Sequence, residues 1–294
     1  MISPYVRRLR LAAELAALRR ACDLSAEKLA RAVGLPRTTI SRLENARLRP
    51  DINDVIKILD QLGVTGEKWT QLLAIAREAA ERGWWESFAD EMGPRQALYA
   101  NLEAGAESIE EYHLTLLPGL LQTPDFTSAR AAVDKADWSA NFSPARAVEA
   151  RRLRQRMLHR PDGAKYSVVI DELAIRRPAA PSEVVVQQLR HIAQVVDSDQ
   201  PRITVRVLPL DKPIDEHIVP RSGFSIYRYP DPGDPVVVAV DTVTDDLVHT
   251  HPEQTAHYLD LHRRLTDAAL PPDESVQLLQ AAARRAPRST ERAA

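Results

Sequence analysis

Four residues, Val33-Gly34-Leu35-Pro36, separate two short amphipathic segments, and this tight turn constrains the fold more than any other feature of the chain. Ser25 reads as the N-cap of a helix over 26–33, with Leu29, Ala30 and Val33 on one face. Gly34 ends that helix, because glycine tolerates the left-handed backbone of a helix terminus. A second short helix over 36–45 follows and turns Ile40 and Leu43 inward. A short glycine-containing turn holds two such helices at a steep angle. The frame around them is also helical. Residues 5–21 carry Val6, Leu9, Ala13, Ala16 and Ala17 at helical spacing, with Leu15 and Leu18 beside them and Pro4 in the first turn. Asp51 caps a helix over 52–62 with the stripe Val55, Ile56, Leu59 and Leu62, and Gly63 stops it.

The outward face of the helix over 36–45 offers Arg37, Thr38, Ser41 and Arg42. A helix presented this way can enter the major groove of double-stranded DNA. Arginine binds guanine with two hydrogen bonds, and threonine meets base edges or a thymine methyl. Charge supports that partner. Residues 1–66 hold twelve Lys/Arg and seven Asp/Glu, a balance of +5 that leaves −7 for the rest of a chain of net charge −2. A basic segment on an acidic body suits a polyanion-binding head with a separate partner domain. One recognition helix covers few base pairs, so a homodimer on a two-fold operator is expected.

Residues 15–64, from Leu15-Ala16-Ala17-Leu18-Arg19 through Leu24-Ser25 to Leu62-Gly63-Val64, resemble the Xre/phage-repressor helix-turn-helix family. The resemblance implies an all-α, lambda-repressor-like domain over 1–66. It places Arg37, Thr38 and Arg42 at the groove and Asn45 and Arg47 near phosphate. With Thr39 and Ser41 these residues make up the candidate DNA-binding set. It also implies a structural ion pair between Arg19 and Glu44, joining the first helix to the end of the recognition helix. Three positions depart from the family pattern. Ala26 stands where a glutamine commonly contacts phosphate, Pro36 where Ser or Thr caps, and Ala46 where glycine ends the recognition helix. At that end Asn45 is expected to take the left-handed conformation, which asparagine tolerates.

A helix over 67–82, with Trp69, Leu72, Leu73, Ile75 and Ala76, is expected to act as a linker across 67–83, and Trp84-Trp85 to open a second domain over 84–286. Seventeen of the 21 prolines lie beyond residue 110, which favours short elements there. Helices are expected over 95–112 (Leu98, Leu102, Ala106, Ile109), 124–134, 144–159, 181–196, 252–268 and 273–286. Strands are expected over 166–171, 203–208, 223–229 and 236–241, where β-branched or aromatic runs are bounded by turn residues. The fold class is therefore multidomain, a helical head followed by an α/β domain with a small mixed sheet. The tail over 287–294 has little to bury and is expected to be disordered. The segments Leu102-Glu103-Ala104, Leu117-Pro118-Gly119-Leu120-Leu121-Gln122-Thr123, Val169-Ile170-Asp171-Glu172, Gln188-Leu189 and Val205-Arg206-Val207-Leu208-Pro209 resemble the actinobacterial domain of unknown function that follows such heads. That resemblance implies an antitoxin-like regulator, often paired with a small protein encoded nearby. The residues themselves indicate only a sensor or partner-binding domain.

Other chemistries find little support. Cys22 is the one cysteine, so no disulfide or cysteine-only metal site forms within the chain. No run approaches a membrane span, and Met1-Ile2-Ser3-Pro4-Tyr5 begins no signal-like apolar run, so a cytoplasmic protein is expected, on the nucleoid when bound to DNA. No GxSxG, GxGxxG or phosphate-binding glycine loop occurs, and neither a cofactor nor enzymatic activity is expected. Asp171 and Glu172 adjoin Arg176 and Arg177, where ion pairing is favoured over acid–base work. His249, His251, His257 and His262 lack the spacing of a metal site. The Leu117–Thr123 loop is read as packing rather than as a ligand gate.

Overall fold

A computed structural model describes residues 2–134, 143–198, 202–242 and 246–285. They fall into two compact units. The first comprises residues 1–86, 104–106 and 229–235, and the second 87–103, 107–228 and 236–294. The tail over 287–294, for which disorder is expected, lies outside the described residues.

The first unit is a five-helix bundle of α1 (Pro4–Ala21), α2 (Ala26–Val33), α3 (Arg37–Glu44), α4 (Ile52–Gln61) and α5 (Gly66–Ala80). Local signals set each boundary. The Ser3 hydroxyl accepts from Val6 N–H, Ser25 from Lys28 N–H, and Asp51 from the N–H groups of Asn53 and Asp54. Gly34 and Gly63 both take φ +68° at helix ends, a conformation that glycine adopts without steric cost. One core gathers a stripe from every helix: Leu15 from α1, Leu29 from α2, Ile40 from α3, Val55 and Leu59 from α4, and Leu72 from α5. Each such side chain contributes about 1.5–3 kcal/mol on burial. The helix expected to serve as a linker is thus an integral member of the bundle, with Leu72, Ile75 and Ala76 all in the core.

The first unit also contains a cluster of opposite charges. On α1 the Arg7 guanidinium lies 2.8 Å from Glu78 of α5 and 2.9 Å from each of Asp231 and Asp234. Arg10 lies 2.6 Å from Asp231. Both arginines are buried. The hydrogen bond from Arg7, with further donation from Gly233 N–H, holds the Asp231 carboxyl well below the usual carboxylate range. Gly233 leaves space for this arrangement, because a Cβ there would displace the Arg10 guanidinium.

The second unit is built on a six-stranded mixed sheet flanked by helices. In chain order it runs α6 (Ala89–Glu103), β1 (Ser108–His113), α7 (Pro124–Asp134), α8 (Pro144–Gln155), β2 (Lys165–Asp171), α9 (Glu172–Arg176), α10 (Ser182–Asp197), β3 (Ile203–Leu208), β4 (Phe224–Arg228), β5 (Val237–Val240), β6 (Leu247–His249), α11 (Pro252–Ala268) and α12 (Pro272–Arg285). The strand order is β3-β2-β1-β4-β5-β6. β1–β2 and β2–β3 are parallel, and the remaining pairs are antiparallel. One face packs Tyr112, Val169, Phe224, Ile226 and Val238 against Leu265 and Tyr258 of α11. Strand side chains alternate between faces, so Ile109, Glu111 and His113 of β1 point the other way.

Two sequence expectations are corrected here. The helix expected over 95–112 ends at Glu103, and residues 108–113 form β1 at the centre of the sheet. Leu98, Leu102, Ala106 and Ile109 mimic helical spacing, but Gly105 at φ +74° ends the helical run. The same helix begins earlier, at Ala89, and bends at Gly93 before Pro94. The short elements β6 and α9 also escaped the periodicity argument, being only three and five residues long.

Candidate nucleic-acid interface

Helix α3 presents two different faces. Ile40 and Leu43 are buried in the bundle core. Arg37, Thr38, Ser41 and Arg42 are exposed, as are Asn45 and Arg47 just beyond the helix, whereas Thr39 is half-buried. The side chains of Arg37, Arg42 and Arg47 have no hydrogen-bond or ion-pair partner among the described residues. The Asn45 side chain folds back, its amide donating to Ser41 C=O at 2.7 Å. The helix therefore carries Arg37, Thr38, Ser41 and Arg42 on one solvent face and leaves Thr39 at its margin.

The ends of α3 are fixed by different means. Pro36 occupies the N-cap without a side-chain cap, and its carbonyl accepts from Thr39 N–H at 2.9 Å. At the other end it is Ala46, not Asn45, that takes the left-handed conformation, at φ +55°. Asn45 stays at φ −110°. The reversal is driven by backbone pairing, since Arg47 N–H donates to Arg42 C=O at 2.8 Å in a Schellman closure. Glu44 accepts from Arg19 at both carboxylate oxygens, at 2.6 and 2.9 Å, and Arg19 also donates to Leu24 C=O at 2.6 Å. The two side chains are only 16% and 11% exposed. The hydrogen bond to Glu44 raises the Arg19 pKa above its ordinary value.

A second concentration of polar chemistry lies in the second unit, on the sheet face carrying Glu111 and His113. Arg154 of α8 pairs with Glu103 and donates to Gln96. Glu111 accepts from Tyr166 at 2.5 Å and Ser225 at 3.1 Å, and lies 3.0 Å from His113. Tyr99 donates to Asp241. Burial works against the charge on His113, but Glu111 offsets it and holds the His113 pKa above its ordinary value. Burial likewise opposes charge on Glu111, yet His113 and Tyr166 hold its carboxyl below the usual range. Sequence reasoning missed this cluster. Arg151-Arg152-Leu153-Arg154 lies in the helix expected over 144–159 with no partner to suggest, and Glu110-Glu111 sits in what reads as a helix.

Two family models match the chain. A helix-turn-helix domain covers residues 10–72. A domain of unknown function, DUF5753, covers residues 96–281, well over half the chain. The chain belongs to the DUF5753 family. No curated protein and no solved structure matches it.

Within the DUF5753 domain, the other residues singled out from sequence take structural positions. Asp171 caps α9 through Leu173 N–H at 2.8 Å and accepts from the Tyr112 hydroxyl at 2.8 Å. Glu172 accepts from Arg176 at 2.6 Å and from Leu210 N–H at 2.9 Å. His249 stacks on Tyr258, and His262 is buried against Phe224. Among the described residues no group of three or more His, Cys, Asp or Glu side chains converges as a metal site would. Among the described residues no helix is long and apolar enough to cross a membrane. In the Leu117–Thr123 loop, Leu117, Leu120 and Leu121 are buried, while Gly119 and Gln122 border a cavity. Gln188 of α10 is fully buried and pins this loop, accepting from Thr123 N–H at 2.6 Å and donating to Leu121 C=O at 2.7 Å.

Proposed function

We propose that the protein is a sequence-specific DNA-binding transcriptional regulator of Xre type, acting as a homodimer through the recognition helix over 36–45. The carrying observation is that Arg37 and Arg42 are exposed and unpaired among the described residues, on a helix whose opposite face is locked into the core. Guanidinium groups without internal partners are available for guanine O6 and N7. Thr38 and Ser41 complete the base-facing set, and Asn45 and Arg47 serve phosphate. The DUF5753 domain binds a ligand or a small partner protein, and its acidic balance keeps it from competing for DNA.

A gel-shift on the DNA upstream of the protein's own gene tests the reading. Arg37→Ala and Arg42→Ala are each expected to weaken specific binding by about 1–3 kcal/mol. Unchanged affinity in both variants rejects the residue assignment. The antitoxin-like alternative makes neutralisation of a small neighbour-encoded protein the main task and DNA binding its autoregulation. It is favoured if the full chain co-purifies with that neighbour and suppresses its toxicity even when Arg37 and Arg42 are both replaced.

A further inference from the structure

A cavity of about 160 Å³ opens on the polar face of the DUF5753 sheet, bordered by α6, α8 and the turn at Gly119. Most charges around it are already matched. Arg154 is committed to Glu103 and Gln96, Arg95 lies 2.9 Å from Asp246, Glu111 is engaged by His113 and Tyr166, and Asp241 by Tyr99. Arg151 is the exception. It lines the cavity three residues before Arg154, one helical turn away on the same face of α8. Among the described residues it has no hydrogen bond and no ion pair. Burial and the neighbouring Arg154 cation, against the opposing pull of Glu103 and Glu111, push its guanidinium down to about 9, which leaves it charged at neutral pH. Gly119 gives it room, because a Cβ there would meet the Arg151 guanidinium. Half-buried, it feels Glu103 and Glu111 only through space and contacts neither directly, and arginine's planar fork is shaped for a carboxylate or phosphate.

We propose that this cavity binds a small molecule carrying a carboxylate or phosphate group, with Arg151 as the residue that grips the oxyanion. Glu111 and Asp241 each already accept from at least one side chain, so the lining group without a direct partner is the Arg151 cation. The volume is roughly five water molecules' worth, below the range of about 300 Å³ and upward that houses drug-sized ligands. The occupant is therefore an oxyanion with a short body. The inference specifies the ligand-binding half of the function proposed above and rests on it, but it is measured without DNA.

The test uses the full chain, with thermal shift and calorimetry against inorganic phosphate and succinate at millimolar concentration, and chloride at matched ionic strength as control. Phosphate or succinate, and not chloride, is expected to raise the melting temperature. A response to phosphate alone or to succinate alone identifies which oxyanion the site takes. Arg151→Ala is expected to abolish the shift and weaken binding by about tenfold or more, since it removes a charge-assisted pair. Arg151→Lys keeps the charge, loses the fork and falls between. Arg152→Ala, on the exposed side of α8, keeps the full response. Without probe, Arg151→Ala is expected to melt no lower than the parent, because it forfeits no internal partner. The proposal is overturned if neither probe gives an Arg151-dependent shift. It is equally overturned if Arg151→Ala destabilises the protein and leaves the probe response intact. A lost gel-shift alongside an intact Arg151-dependent response rejects the regulator reading and supports the site.

Discussion

Single side chains decide how firmly the recognition helix is held. Arg19 and Glu44 form a two-pronged pair with little exposure, and Arg19 closes a third bond to Leu24 C=O. Removing Arg19 leaves Glu44 without a counter-ion, and Arg19→Ala is expected to cost about 3 kcal/mol in chemical denaturation. The Arg19/Glu44 double-mutant cycle should return a favourable coupling, and additive single effects would contradict the brace. The His113–Glu111 pair makes a pH-dependent prediction. His113 has its folded pKa raised above 6.5, so its contribution is complete below that value and is lost as pH rises through the raised one. Glu111 has its folded pKa lowered from 4.5, so its contribution is present above that value and is lost as pH falls through the lowered one. The melting temperature of His113→Gln should therefore lie furthest below that of the parent at mildly acidic pH, and the gap should narrow on the alkaline side. A gap that does not change with pH would rule out a charged His113. Resemblance made the Arg19–Glu44 pair legible in sequence. His113–Glu111 was not legible, because two residues two apart meet on one face only once β1 is known to be a strand.

At the scale of elements, the first unit was readable because its punctuation is local. Ser25, Gly34, Asp51 and Gly63 each act within a few residues of where they sit, and the boundaries of α2 and α4 follow from them. Strand β1 was unreadable for the opposite reason. Its apolar positions continue the helical spacing of α6, its centre carries two glutamates, and only pairing with β2 and β4 from distant sequence makes it a strand. Ala46 shows the same limit at a helix end, since closure by Arg47 N–H selects the residue that must go left-handed regardless of its propensity. The loop after β1 depends on α10 in a way that can be measured. Gln188→Leu keeps the apolar volume but strands Thr123 N–H and Leu121 C=O, and is expected to cost about 2–3 kcal/mol in thermal or urea unfolding. Gln188→Glu, which retains an acceptor for Thr123 but no donor for Leu121, should lie no closer to the parent than Leu does.

For the whole molecule, the division of charge is the property with the widest reach. A head of +5 on a chain of net −2 predicts DNA binding that weakens steeply with salt. Arg47→Ala, which removes an unpaired cation outside the base-facing set, should weaken binding to all sequences alike and flatten the log–log salt slope by about 1 per protomer. An unchanged slope would take Arg47 off the phosphate backbone. The charge cluster on α1 also carries a consequence for synthesis. The ribosome makes Arg7 and Arg10 first, but Asp231 and Asp234 emerge more than two hundred residues later, in the loop 229–235 that belongs to the same unit. The bundle's helices can form early, yet two of their buried cations wait for most of the chain to be translated. A product of premature termination would thus carry a recognition helix on a head whose two α1 arginines lack their aspartates. The finished head is, in that sense, a record that translation passed the loop 229–235.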